Sequence, residues 1–323
     1  MVDQNKYSQF QTTKRFAKFA WFVLVFNILV ILWGAVVRAT GSGAGCGSHW
    51  PTCNGDVIPL APQLETLIEF THRLSSGIDF LLVLGMLIWA LKIKPKKYLL
   101  QKSSAFAMLF IITESLVGAS LVLFDWVAGN ISTARVIVMG IHLINTHLLL
   151  AAIVLTAWWA SGGAPPRLND KITKIKIRFA LGIIGVLVLS VIGAVTALGD
   201  TLFPAENLFN GIQQDFSTAS HFIVRMRVWH PVIATIVGLY LIQFVFSLGS
   251  KRHSLWNTRF AYTLGILFLV QLIAGIINLF LLAPVWMQII HLFLADLVWL
   301  ALILLAAETL SLVNNNESTR DGI

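Results

Sequence analysis

Charge is scarce in this sequence. Only 12% of its 323 residues are charged, against 57% hydrophobic. That balance excludes an ordinary water-soluble domain, because several runs near twenty residues carry almost no charge. Cysteine occurs twice, at Cys46 and Cys53, and neither lies in a hydrophobic run. A thiolate-rich zinc site within the apolar runs is therefore excluded. No lysine follows the glycines of Gly41-Ser42-Gly43-Ala44-Gly45 in the register of a phosphate-binding loop. The first hydrophobic run has no Ala-x-Ala cleavage pattern after it and is too long for a signal-peptide core, so it reads as a span.

What remains is a series of eight apolar runs, at about 17–38, 67–91, 103–124, 136–160, 177–198, 226–249, 259–282 and 287–311. They predict an all-α membrane protein with eight transmembrane helices. Residues 1–16 read as a short polar lead, and the residues after Leu312 as a polar tail.

The net charge of +8 would suit a nucleic-acid partner, but its distribution excludes one. With the N-terminus inside, 18 of the 23 lysines and arginines fall at the cytoplasmic ends of the runs. Only Arg38, Arg73, Arg135, Arg225 and Arg227 lie at the outer ends. This asymmetry puts both termini in the cytoplasm, with the lipid bilayer as the surrounding partner. Cys46 and Cys53 then share the first outer loop. In a bacterial-type inner membrane that side is oxidising and allows a disulfide, with two free thiols as the alternative.

The chain also repeats itself. Gly34-Ala35-Val36 matches Gly193-Ala194-Val195, and Ile141-His142-Leu143 matches Ile290-His291-Leu292. Glu114 precedes Gly118 by four, as Gln271 precedes Gly275. His72 and His230 each sit early in the second run of their half. The segment from Ser161 to Lys176, with two prolines, is the natural linker. The expected domains are 1–160 and 161–323. Four runs per half give both halves the same orientation, so they form two four-helix bundles related by a pseudo-twofold axis along the membrane normal.

Each half offers two histidines near the outer ends of alternate helices: His72 and His142, then His230 and His291. Bundle cores accommodate cofactors between facing helices. Two imidazoles on opposite faces of a macrocycle are the six-coordinate ligation of haem iron. Hydrogen-bonded structural histidines are the alternative. The five outer arginines are candidate partners for haem propionates, or markers of the interface. His147 lies five residues after His142, about 140° round the helix, and reads as a secondary polar contact. His49, His221 and His253 read as loop residues.

The halves differ beside the histidines. Glu69 stands three residues before His72 and shares its helix face, whereas Arg227 holds that offset before His230. A carboxylate there can move protons or stabilise developing positive charge. An ion pair with Arg73, four residues on, is its structural alternative. Asp79, Glu114, Asn145, Asn278 and Asp296 are further polar residues in the runs, expected to face the bundle interior.

Taken together, Gly34 to Gly43, the Cys46…Cys53 pair, Glu69-Phe70-Thr71-His72-Arg73, His142-Leu143, His230-Pro231 and His291-Leu292…Ala295-Asp296 resemble the haem A synthase family. The resemblance implies an eight-helix fold in an inner membrane and haem b held by His230 and His291. It implies haem O processed between His72 and His142 with Glu69 essential, the ring C8 methyl being oxidised to a formyl group by successive hydroxylations. It also implies a Cys46–Cys53 disulfide. Haem O synthase (protohaem farnesyltransferase) and oxidase assembly factors would be partners, and a homo-oligomer is left open. Glu114 departs from the glutamine more common at that place, and His147 from an apolar residue. The rival readings are a di-haem b-type electron carrier, which would not need Glu69, and a haem transporter.

Overall fold

A computed structural model describes residues 4–166, 173–249 and 254–312. His253, the middle of the 161–176 linker and the tail beyond Leu312 lie outside the described residues. Ten α-helices follow one another, with no strand among the described residues: α1 (Gln4–Ala39), α2 (Leu64–Lys92), α3 (Tyr98–Leu123), α4 (Thr133–Ala160), α5 (Thr173–Leu202), α6 (Leu208–Phe216), α7 (Phe222–Arg225), α8 (Trp229–Gly249), α9 (Leu255–Phe280) and α10 (Val285–Leu312). Eight segments are long and apolar enough to cross a membrane, each 26 to 30 residues long. All eight expected runs are present, and most extend a few residues past their expected limits. The polar lead is not separate: α1 runs continuously from Gln4.

The sequence dictates several helix ends. Ser132 and Ser254 cap α4 and α9 by accepting the backbone N–H groups of Arg135 and Asn257. Asn207 does the same for α6 through Asn210. The sixth span, Phe222–Leu248, is broken near its start by a 3-10 turn at Met226–Val228. Pro231 accounts for it. A proline ring clashes with the carbonyl four residues before it, here that of Arg227, and proline has no N–H to continue the ladder.

Polarity is inverted relative to a soluble protein. Large apolar side chains such as Phe22, Leu29, Leu81, Phe106, Ile184, Leu239, Phe246 and Leu269 are exposed along the spans. A belt of that extent would aggregate in water and suits hydrocarbon. The most enclosed spans are α10 and α4, with 50% and 44% of their apolar windows buried. They pack on each other and on α1 and α5, so these four helices form the centre of the molecule.

Polar contacts cross that centre. The His147 ring on α4 meets Ser190 Oγ of α5 at 3.2 Å, and Trp299 of α10 donates its indole N–H to the His147 carbonyl at 2.8 Å. His147 is thus a secondary polar contact, as expected, and it joins residues of the two sequence halves. Nearer the histidine ends, Arg38 of α1 donates to the Ala197 carbonyl at 2.8 Å, to Thr201 Oγ1 at 2.9 Å and to Gln288 Oε1 at 2.7 Å.

Candidate functional site

Each of the four histidines leans on a glycine of the preceding span. A Cβ built at Gly34 would lie 3.0 Å from His72 Cε1; at Gly193, 2.9 Å from His230 Cε1; at Gly275, 3.1 Å from His291 Cε1. At Gly193 a real side chain would force a shift, and at Gly34 and Gly275 the ring would have to give by a few tenths of an ångström. Glycine at these places lets each ring approach the neighbouring backbone. Gly118 faces His142 more loosely, at 3.6 Å, an ordinary van der Waals distance.

The His230 and His291 rings come together with centroids 6.1 Å apart and planes at 81°. The Nδ1 atoms of all four histidines are buried without a hydrogen bond. Gln271 Nε2 approaches His291 Nε2 at 3.3 Å, and Glu114 Oε1 lies 3.4 Å from His142 Nδ1.

Glu69 is 3% exposed. Its Oε2 accepts the backbone N–H of Cys46 at 2.7 Å, and its Oε1 accepts from Arg73 Nε at 3.1 Å and from Arg73 Nη2. Arg73 Nη1 reaches on to the carbonyls of His49 and Thr52, at 2.5 and 2.6 Å. The ion pair foreseen as the structural alternative is therefore present, and it is anchored to the loop that carries both cysteines. Cys46 and Cys53 form a disulfide, and both are buried.

Two glycines shape this loop, one at its turn and one where it meets α2. Gly41 adopts φ +70°, a conformation other residues rarely take. A Cβ at Gly45 would collide with the Glu65 carbonyl at 2.5 Å. Thr66 Oγ1 donates to the Gly45 carbonyl at 2.7 Å and closes the contact.

The remaining arginines have distinct surroundings. Arg135 donates to the Ala128 and Asn130 carbonyls, at 2.6 and 2.7 Å, and its Nε is buried without an acceptor. Arg225 is exposed. Arg227 is buried and paired with Asp215 at 2.8 Å and Asp200 at 3.1 Å. Burial raises the Asp215 carboxyl above the ordinary carboxylate range, while Arg227 pulls the other way. Both carboxylates come from segments 12 and 27 residues away in sequence, so no local pattern announces them. His221 caps α7 and stacks on Phe203, as a loop histidine.

Below the first site, Asn27 donates to Asp79 at 2.5 Å, and both side chains are buried. Glu114 accepts from Thr146 Oγ1 and from Asn145 Nδ2, the latter at 2.5 Å. Asp296 is buried with neither oxygen hydrogen-bonded to the described residues.

Comparison with known proteins identifies the family. Residues 17–303 match the COX15-CtaA family, described as cytochrome oxidase assembly protein. A heme A synthase of Alkalihalophilus pseudofirmus is 31% identical over 259 residues, covering 77% of this chain and 82% of that protein. A heme A synthase of an Exiguobacterium species is 38% identical over 143 residues, 44% of this chain and 46% of that protein. A Thermus thermophilus protein named protoheme IX farnesyltransferase is 52% identical over 296 residues, 92% of this chain; the chain spans only 48% of that protein's length. With nearly the whole membrane region matched, and a synthase relative aligned over most of both lengths, the chain belongs to the haem A synthase family of cytochrome oxidase assembly proteins.

Proposed function

We propose that this chain oxidises the C8 methyl group of haem O to a formyl group, by successive hydroxylations, to give haem A for terminal oxidases. Substrate haem O is taken between His72 and His142, with Glu69 as the catalytic carboxylate. Haem b is the resident cofactor, held by His230 and His291. One observation carries the division of labour: a buried carboxylate, Glu69, stands three residues before His72 of the first pair, and a buried arginine, Arg227, three before His230 of the second.

The second pair fits haem. Two metal–imidazole bonds of about 2.0 Å, plus the two ring radii, require centroids roughly 6 Å apart, and the rings stand at 6.1 Å. The Nδ1 atoms of both rings are buried without a hydrogen bond, while the Leu189 backbone neighbours His230 and the Gln271 amide neighbours His291. Bound haem b supplies one-electron redox chemistry. Of the propionate candidates, Arg225 is exposed and Arg135 keeps an unpaired N–H. Arg38, Arg73 and Arg227 are already engaged with protein oxygens and would have to share them.

Glu69 is held at both oxygens, one by the Cys46 N–H and one by Arg73. A carboxylate fixed in this way keeps its place through a reaction and can favour positive charge developing nearby. The family's disulfide is commonly read as assisting electron or haem transfer. The geometry supports a simpler task, since the loop it closes positions Glu69.

The lysine distribution supports an inner-membrane protein with both termini cytoplasmic and the histidine ends outward. The Thermus relative is about twice the length of this chain. We read its matched half as the synthase unit and the remainder as the transferase its name denotes. That reading favours a haem O synthase as a partner here, alongside oxidase assembly factors.

The deciding experiment is extraction and mass analysis of haems from membranes that also make haem O, comparing wild type with Glu69→Gln. Haem A or its hydroxylated precursor only in the wild type, with haem content equal in both, supports the proposal. Haem b alone in both, at two per chain, would establish a di-haem electron carrier instead.

A further inference from the structure

The histidines of α4 and α10 each meet a polar side chain from the helix before. Glu114 Oε1 of α3 stands 3.4 Å from His142 Nδ1, and Gln271 Nε2 of α9 stands 3.3 Å from His291 Nε2. Each polar residue lies four before the glycine that faces the ring, Gly118 or Gly275. Equivalent places therefore deliver a carboxylate to one imidazole and an amide N–H to the other.

The surroundings enlarge the difference. Thr146 Oγ1 donates to Glu114 Oε1, and Asn145 Nδ2 donates to Glu114 Oε2 at 2.5 Å. Asn145 is itself fixed, because its Oδ1 accepts from Thr113 at 2.6 Å. At the same offsets from His291 stand Leu294 and Ala295, whose side chains donate nothing. The Gln271 Oε1 is buried without a partner. One side chain is a carboxylate held on several sides. The other is an amide with half its capacity unused.

We propose that Glu114 is a positioning residue that makes His142 a stronger electron-donating ligand than His291, so that the two haem sites differ electronically. The inference rests on the ligation reading above and adds to it. A carboxylate beside the far nitrogen of a ligating imidazole raises the ring's basicity. Glu114 faces Nδ1 of His142, which leaves Nε2 as the nitrogen for iron. Neither Nδ1 makes a hydrogen bond within the described residues, but His142 Nδ1 has the Glu114 carboxylate 3.4 Å away, whereas at His291 the nearby polar group is an amide, Gln271, and it faces Nε2. A more basic axial ligand stabilises ferric over ferrous iron and lowers the reduction potential. A haem bound between His72 and His142 would therefore be held more oxidised than one bound between His230 and His291.

The test is potentiometry and electron paramagnetic resonance of the full chain, purified from membranes that also make haem O. Glu114→Gln should keep both haems, move the first-site potential to a more positive value and change the first-site ferric signal. The second-site potential should stay where it is. Asn145→Leu and Thr146→Val, which release Glu114 without removing it, should shift the first site part of the way. Unchanged first-site potential and signal in Glu114→Gln, with both haems bound, would overturn the inference. If that variant does not accumulate, the Asn145 and Thr146 variants decide in the same way. A first-site signal that survives His142→Ala would remove the ligation reading itself, which separates the two failures.

Discussion

Glu69 accepts the backbone N–H of Cys46 at 2.7 Å, across a sequence gap of 23 residues. A side chain beside a candidate haem ligand is thereby tied to the main chain of a disulfide loop. Removing it should unseat the loop as well as the chemistry. Truncation to alanine leaves the part-buried Arg73 guanidinium without its carboxylate, a loss below the roughly 3–5 kcal/mol of a fully buried pair because the His49 and Thr52 carbonyls still accept from it. Glu69→Gln keeps an acceptor for the Cys46 N–H and should cost much less. We expect Glu69→Ala to lower the unfolding temperature of the solubilised protein clearly, and Glu69→Gln only slightly, while both abolish product. Differential scanning fluorimetry beside haem mass analysis separates the two effects.

The disulfide should matter through that same contact. Cys46→Ser with Cys53→Ser removes the closure of a short loop, worth about 2–3 kcal/mol if the loop ordering is otherwise unchanged. The Cys46 amide should then exchange with deuterium markedly faster, because the loop that carries it is no longer closed while its acceptor, Glu69, stays on α2. Hydrogen exchange by mass spectrometry checks this. An unchanged rate would mean that Thr66 and Gly45 seat the loop unaided.

The glycines under the histidines yield a graded series. Gly193→Ala places a methyl group 2.9 Å from His230 Cε1, and Gly34→Ala one 3.0 Å from His72 Cε1. Overpacking of that kind costs about 1–3 kcal/mol. Gly193→Ala should lower haem content at the second site severalfold, read by pyridine haemochrome, and Gly34→Ala should do so at the first. Gly118→Ala, with 3.6 Å available, should bind haem as the wild type does.

Arg38 spans the centre of the molecule, from α1 to α5 and α10. Arg38→Ala deletes three hydrogen bonds from a charged donor, worth about 1.5–3 kcal/mol each at most. It also leaves Gln288, three residues before His291, held only by its bond to the Ala283 carbonyl. We expect a lower unfolding temperature and a perturbed second-site haem spectrum, although Arg38 belongs to the first half. Arg38→Lys should rescue little, because one ammonium cannot reach all three acceptors.

The eight spans were legible because a membrane leaves a long apolar signature, and the histidines stood out as polar residues inside it. The Glu69–Arg73 pair was legible because its partners are four apart on one helix. The Arg227 pairs were not, since Asp200 and Asp215 reach it only through the fold of α5 and α6. The Arg38–Gln288 contact was equally hidden, because 250 residues separate its ends. The glycines were visible as repeated letters, but their closeness to the rings is a property of helix packing. That the polar lead is helical was not written in its composition. A helix does not stop where the lipid does, and nothing in residues 4–16 breaks it.

A ring pressed against a neighbouring backbone has no intervening side chain to absorb a displacement. The placement of His72, His230 and His291 therefore reports the spacing of two helix axes directly. Bilayers that force spans to tilt or straighten change that spacing. In the proposed haem sites the facing pair of imidazoles then behaves as a caliper whose jaws are set by lipid thickness. Activity and haem retention should follow the acyl length of the surrounding lipid, with an optimum at the thickness that leaves the helix pairs undisturbed.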